Sequence, residues 1–111
     1  MFGDLNNKSC VSCQGGIIPL PLDEANEYKK QIPKWDLMEQ SSKLKREFKF
    51  EDFKHSLKFI DRVAAIAEEE GHHPDIEFGW GYARIYIYTH DIDGLHENDF
   101  ILASKIDLIK Y

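Results

Sequence analysis

The chain has 111 residues, a length that suits one domain with one hydrophobic core. Its 14 Lys and Arg against 20 Asp and Glu give a net charge of -6, which argues against direct nucleic-acid binding, because such binding depends on basic side chains at the phosphates. The first residues are neither basic nor apolar, and no apolar stretch is long enough to span a bilayer. We therefore expect a soluble cytoplasmic protein without a membrane partner.

Residues 1–20 are predicted to form a flexible N-terminal arm, and residues 21–111 the folded domain. The arm contains Cys10 and Cys13 in a Cys-x-x-Cys pattern, followed by glycines and prolines that favour turns and extended chain. Two thiols without a histidine nearby in sequence are too few for a structural zinc site, which takes four ligands. We interpret the pair as reduced and without a structural role, and a metal or oxidation role is the open alternative.

Past the arm, a short helix is predicted from Asp23 toward Gln31, because an acidic pair marks its first turn. Strands are predicted at 35–38 and 43–50, joined by a polar turn. Alternation in the second strand places three apolar residues on one face, Leu44, Phe48 and Phe50. Arg46 interrupts that face. We expect the two strands to form a hairpin with one face exposed to solvent.

The segment 51–70 is predicted to be the main core helix, because its apolar residues recur at helical spacing. The expected core stripe contains Phe53, Leu57, Ile60, Ala64 and Ala67, with Val63 and Ile66 beside it. Three glutamates at 68–70 place negative charge at the negative end of the helix dipole, and Gly71 supplies a left-handed cap.

Two further strands are predicted at 75–80 and 83–89, and a closing amphipathic helix at 97–109. Asp99 falls in the first turn of that helix, where a carboxylate can accept hydrogen bonds from free backbone amides. The pattern therefore predicts four strands and three helices in this order.

Histidines are the candidate functional residues. Imidazole has its ordinary pKa nearest neutral pH, so a group of histidines can both donate and accept protons in the cell. Pro74 restrains the residue before it to extended geometry, which fixes the direction in which His73 leaves the turn. The plainer alternative is that His72 and His73 only cap the preceding helix.

The spacing of these residues resembles that of the pterin-4a-carbinolamine dehydratases. The motif is Glu68-x-x-x-His72-His73-Pro74, followed by Trp80, Thr89-His90, Gly94-Leu95 and Asp99. The resemblance extends from about Pro21 to the C-terminus, and the Cys-x-x-Cys-x-Gly-Gly of the arm resembles that of bacterial members. His96 stands where members of this family often carry a serine at the start of the last helix.

The resemblance implies an α+β fold, a four-stranded antiparallel sheet with about three helices packed on one face, and the element count agrees with it. It also implies a dimer or tetramer that removes water from a 4a-hydroxytetrahydropterin to give the quinonoid dihydropterin. This reaction belongs to tetrahydropterin recycling alongside an aromatic amino acid hydroxylase. The pterin is the substrate, so the resemblance implies no cofactor.

The resemblance also implies roles for six residues. His72 and His90 exchange protons with the substrate and His73 holds the pterin, while Glu68 and Asp99 orient the histidines or the ring and Trp80 forms a supporting wall. Two alternatives stay open: a non-enzymatic dimerisation or coactivator-type binding protein, and a three-histidine zinc hydrolase, which is disfavoured because adjacent histidines rarely converge on one ion.

Overall fold

A computed structural model describes residues 3–10 and 18–111 of the chain. Within them it has three α-helices and four strands that form one antiparallel sheet. The elements are α1 (Leu22–Lys29), β1 (Asp36–Met38), β2 (Lys43–Lys49), α2 (Phe53–Glu70), β3 (Asp75–Gly79), β4 (Tyr82–Ile87) and α3 (Glu97–Ile106). The predicted fold class is confirmed.

The strands lie in the order β1-β2-β4-β3, so β2 and β4 form the middle of the sheet. In β4 every second residue is buried, since Ala83, Ile85 and Ile87 are all fully buried. Phe48 of β2 lies opposite Ala83, and both belong to the buried face. One face of the sheet is therefore apolar and packs against the helices.

The core lies between that face and α2 and α3. Its largest fully buried side chains are Leu5, Ile32, Trp35, Leu44, Phe48, Phe59, Ile85, Ile87, Leu95, Phe100, Ile101 and Leu102. Nearly every residue of α3 is buried, so this helix is central to the core rather than a surface element.

The predicted stripe of α2 is wrong in part. The helix ends at Glu70 as predicted and begins at Phe53, two residues later than predicted. Val63 and Ala67 are buried, but Phe53 and Leu57 are 48% and 41% exposed. Phe59, which the predicted stripe omits, is buried instead. The reason is that α2 carries apolar residues on two faces, and periodicity alone does not say which face meets the sheet.

Part of the predicted N-terminal arm packs against the domain. Leu5 is fully buried in the core, and Cys10 contacts it. The segment at 18–20 also lies on the domain, because Leu20 N–H donates to Leu95 O at 2.9 Å. Pro19 passes so close to Gly94 that a side chain there would collide with the proline ring. Cys13, and with it the Cys-x-x-Cys as a unit, lies outside the described residues.

None of the helices in the described ranges is long and apolar enough to cross a membrane.

Candidate active site

Two segments meet at one end of the β3–β4 hairpin, and the start of α3 contacts both of them. Strand β3 begins at Asp75, opposite Tyr86 near the end of β4, so the residues before β3 and after β4 lie at the same end of the sheet. The first group is the turn from α2, where Gly71 adopts a left-handed conformation with φ 65°. The second group is Thr89-His90, after which the chain leads into α3. The antiparallel pairing therefore places the turn after α2 and the Thr89-His90 segment at the same end of the sheet.

Asp99 joins these segments. Its Oδ1 is 2.6 Å from His72 Nε2, and its Oδ2 accepts hydrogen bonds from Thr89 Oγ1 at 2.7 Å and from the His96 N–H at 2.8 Å. The Asp99 side chain is fully buried. His96 completes a capping box at the start of α3, since its Nδ1 accepts from the Asn98 N–H at 3.3 Å. Asp99 therefore both caps α3 and fixes the imidazole of His72.

The contact to Asp99 determines which ring nitrogen of His72 is available. A carboxylate oxygen accepts, so His72 presents Nε2–H to Asp99, and Nδ1 is left as the acceptor. Within the described residues Nδ1 has no hydrogen-bond partner, and every fully buried side-chain nitrogen there has one, so Nδ1 is not fully buried, although only 11% of the His72 side chain is exposed. A buried carboxylate behind a partly accessible imidazole is an arrangement that supports proton transfer.

His73 is held by a different carboxylate. Its Nε2 lies 2.5 Å from Glu68 Oε2, and both side chains are exposed. Glu68 lies in the last turn of α2, five residues before His73. Glu68 therefore contacts His73 and not His72.

His90 lies on the outer side of the sheet. Its ring packs against Tyr88 with centroids 4.1 Å apart and the planes tilted by 41°, and its Nε2 is 3.7 Å from Asp75 Oδ1. Lys43 Nζ lies 4.9 Å from the centroid of the same Tyr88 ring. Its neighbour Thr89 points inward to Asp99, so one dipeptide reaches both the buried carboxylate and the outer surface.

Each of the three imidazoles thus contacts its own carboxylate, and the rings do not touch one another in the described part of the chain. Across residues 3–10 and 18–111, no group of three or more His, Cys, Asp or Glu side chains is arranged to hold a metal ion.

Trp80 is not near these residues within the same chain. It lies in the turn between β3 and β4, at the opposite end of the hairpin from Asp75, and its side chain is 71% exposed. The length of β3, about 13 Å, separates the two ends. The structure therefore brings five of the six predicted site residues to one region and leaves Trp80 outside it.

Thr89 belongs to the motif quoted above, but the sequence assigned it no role. It continues the buried face of β4 after Ala83, Ile85 and Ile87, and it is itself buried. A buried hydroxyl needs a hydrogen-bond partner. A threonine on the apolar face of a strand, next to a candidate histidine, was therefore a signal that a buried acceptor lies nearby.

Glu70 forms a second polar cluster behind the site, which also escaped prediction. It accepts from Lys105 Nζ at 2.7 Å and from the Cys10 N–H at 2.8 Å. Burial raises the pKa of Glu70, but these hydrogen bonds and the Lys105 charge outweigh it and hold the pKa below its usual value. Burial, together with Glu70, raises the pKa of the Cys10 thiol to about 12, so that thiol stays protonated at neutral pH.

Sequence comparison connects this geometry with a known family. A model of the pterin 4 alpha carbinolamine dehydratases matches residues 18–109. A predicted pterin-4-alpha-carbinolamine dehydratase of Methylococcus capsulatus is 52% identical over 103 residues, which cover 93% of this chain and 90% of that protein. A second, from Halorhodospira halophila, is 49% identical and covers 95% of this chain and 96% of that protein.

Solved structures agree with the sequence matches. The crystal structure of a transcriptional coactivator/pterin dehydratase from Brucella melitensis has a TM-score of 0.75 and 28% identity, covering 80% of this chain and 95% of that one. A pterin dehydratase-like protein identified as a RuBisCO assembly factor in the alpha-carboxysome has a TM-score of 0.58 and 28% identity, with 67% and 86% covered. The match across nearly the whole domain, together with the histidine motif, places the chain in the pterin-4-alpha-carbinolamine dehydratase family.

Proposed function

We propose that this protein is a hydro-lyase that removes water from a 4a-hydroxytetrahydropterin and releases the quinonoid dihydropterin. Membership of the family supports the substrate class. The observation that carries the proposal is the 2.6 Å contact between His72 Nε2 and the buried Asp99 carboxylate, because it leaves the opposite nitrogen of an oriented imidazole open to a ligand.

The reaction is an elimination that needs one acid and one base. A carbinolamine carries its hydroxyl and its amine nitrogen on the same ring carbon. The C–O bond breaks as the hydroxyl takes up a proton and leaves as water, and the nitrogen loses its proton as its electron pair forms the C=N bond. No electrons pass to or from another molecule, so the reaction requires no redox cofactor.

In this proposal His72 and His90 exchange the two protons, and His73 holds the pterin. Asp99 keeps Nε2–H of His72 turned inward, so that Nδ1 meets the substrate. Glu68 restrains His73 in the same manner from the end of α2. General acid–base groups of this kind contribute about 10² to 10⁴ in rate.

Trp80 can form a wall of the pterin site only in a neighbouring protomer, because it is too far from the site of its own chain. It lies a strand length away from Asp75 in its own chain. We therefore propose that Trp80 contacts substrate where another protomer presents its β3–β4 turn to the site.

We also propose that the protein forms a homodimer or homotetramer. The outward face of α2 supports this, because Phe53, Leu57 and Ala64 lie exposed along one side of the helix. Exposed apolar patches of this kind commonly mark association surfaces. Strands β1 and β3, at the two edges of the sheet, offer further places for a second copy.

The product of this reaction is a quinonoid dihydropterin, which a reductase must return to the tetrahydropterin. We propose that an aromatic amino acid hydroxylase supplies the 4a-hydroxy substrate.

A second candidate is a binding role without catalysis. The relatives named as a transcriptional coactivator and as a RuBisCO assembly factor support it, since both share this fold at 28% identity. A binding role that survives in a variant without His72 and His90 would separate this function from dehydration.

Stopped-flow absorbance tests the proposal directly. A tetrahydropterin is converted to its 4a-hydroxy form by a hydroxylase, and its breakdown is followed with and without this protein. We expect the protein to accelerate breakdown equally with and without a metal chelator. Breakdown at the uncatalysed rate would contradict the proposal, and acceleration that a chelator abolishes would favour the zinc hydrolase alternative.

A further inference from the structure

A second cavity lies outside the histidine site. It has a volume of about 140 Å³ between the first half of α2 and the C-terminal segment that follows α3. Its lining residues are Phe50, His55, Lys58, Phe59, Arg62, Lys110 and Tyr111. Arg62 precedes His72 by ten residues of mostly helical chain, about 15 Å along the axis, so the cavity is separate from the dehydratase site.

Three aromatic rings form the apolar wall. The ring centroids of Phe50 and Phe59 are 5.1 Å apart, and Tyr111 lies 5.3 Å from each of them. The planes of these rings are inclined to one another by 41° to 70°, so they present both faces and edges. In another protein an apolar cavity of about 150 Å³ holds benzene, so the space here suits one six-membered ring.

Basic side chains form the rim. Arg62 Nη1 donates to Lys110 O at 2.7 Å, which fixes the guanidinium beside the C-terminal segment. Lys58 and Lys110 have no carboxylate partner within the described ranges, although the chain carries a net charge of -6. The fourth basic group, His55, is bonded to Asp52 at 2.6 Å and is already paired. The rim therefore offers positive charge to an anion.

We propose that this cavity binds a small aromatic carboxylate with a single ring. The ring packs against Phe59 and Tyr111, and the carboxylate is bound by Arg62 and the nearby lysines. An arylacetate fits this arrangement better than an aromatic amino acid, because the ammonium of the amino acid would meet the same cations. The inference does not depend on the dehydratase activity.

Titration with phenylacetate, followed by amide NMR shifts of the full chain, tests the proposal. We expect saturable shifts at Phe59, Arg62 and Lys110 with a Kd of about 1 mM, in the range for a ligand of this size. Two control ligands separate the contribution of the aromatic ring from that of the carboxylate. 2-Phenylethanol has the ring without the charge, and acetate has the charge without the ring. Each is expected to bind about tenfold more weakly or worse.

Variants test the position of the site. Arg62→Gln removes one cation of the rim and is expected to weaken phenylacetate about tenfold, since a charged hydrogen bond is lost. Lys54→Gln removes an exposed cation of the same helix outside the cavity and is expected to leave the affinity unchanged. The proposal is overturned if phenylethanol binds as well as phenylacetate, if both variants behave alike, or if shifts are absent or confined to residues around Asp99.

Discussion

The carboxylate of Asp99 serves two parts of the molecule at once, the start of α3 and the imidazole of His72. One oxygen accepts from Thr89 and from the backbone of His96, and the other contacts His72 Nε2. The capping interpretation and the functional interpretation of this residue are therefore compatible. Because the backbone fixes the carboxylate, the carboxylate can fix the histidine.

Asp99→Asn tests that coupling. The amide keeps the size of the side chain and an oxygen for Thr89 and His96, but it turns an NH₂ toward His72 Nε2 and reverses the tautomer. We expect the dehydratase rate to fall by about 10² or more while the protein stays folded. The measurement is the single-turnover rate, and Asp93→Asn, in the exposed turn nearby, is the matched control. A rate close to that of the control would show that Asp99 only caps α3.

Glu70 explains how the acidic end of α2 is tolerated. The sequence places three glutamates where the helix dipole disfavours them, and one of the three is neutralised by Lys105 and bonded to the Cys10 backbone. This cluster links α2, α3 and the N-terminal segment at Glu70, two residues before His72.

Glu70→Gln is expected to lower the free energy of unfolding by about 1–2 kcal/mol at neutral pH, because Lys105 loses a partly buried charged partner. The pKa of Glu70 is lowered in the folded protein, so its contribution is full above its unfolded pKa, about 4.3, and is lost as the pH falls through the folded pKa. The difference in the free energy of unfolding between wild type and variant, measured by urea unfolding, should therefore become smaller at acid pH. Glu69→Gln, at an exposed position, is the control. A difference in the free energy of unfolding that does not change with pH would contradict this assignment.

Single residues were the least predictable level. The sequence showed that Arg46 interrupts the apolar face of β2, but not that Asp107 pairs with it at 2.5 Å while also accepting from Trp35 Nε1. Such partners are distant in sequence, and only tertiary packing brings them together. The histidine motif was visible because its spacing is local and resembles a known family.

At the scale of elements, α2 shows what periodicity can and cannot determine. Its bounds could be predicted, because Asp52 accepts from the His55 N–H at the start and Gly71 ends it. The buried face could not, because Phe53 and Leu57 belong to a second apolar stripe that is largely exposed, although Phe53 still contacts Phe78 of β3. That stripe supports the proposed self-association.

Leu57→Glu tests the role of the stripe. Burial of a leucine side chain contributes roughly 1.5–3 kcal/mol, so we expect the assembly to dissociate about tenfold more readily or worse. Sedimentation velocity measures the mass, and circular dichroism shows that the monomer stays folded. Lys54→Glu, on the same helix outside the stripe, should leave the assembly intact. Equal masses for both variants would mean that the copies meet elsewhere.

At the scale of the whole molecule, strand alternation and helical periodicity were enough to predict the strands and the helices, and the resemblance supplied the four-stranded sheet that joins them. The antiparallel β3–β4 pairing then places the turn after α2 beside the turn after β4. The same pairing explains why Trp80 lies apart, since a hairpin separates its tip from its open end. Sequence spacing could not show this, because the predicted role of Trp80 came from resemblance and not from topology.

The central claim is that His72, oriented by Asp99, transfers a proton during dehydration. Its most direct test is the stopped-flow rate of 4a-hydroxytetrahydropterin breakdown by His72→Ala beside the wild type, with folding checked by the amide spectrum. We predict that the variant stays folded and loses about 10² or more of the protein-dependent rate. A folded variant that turns over at the wild-type rate would contradict the claim.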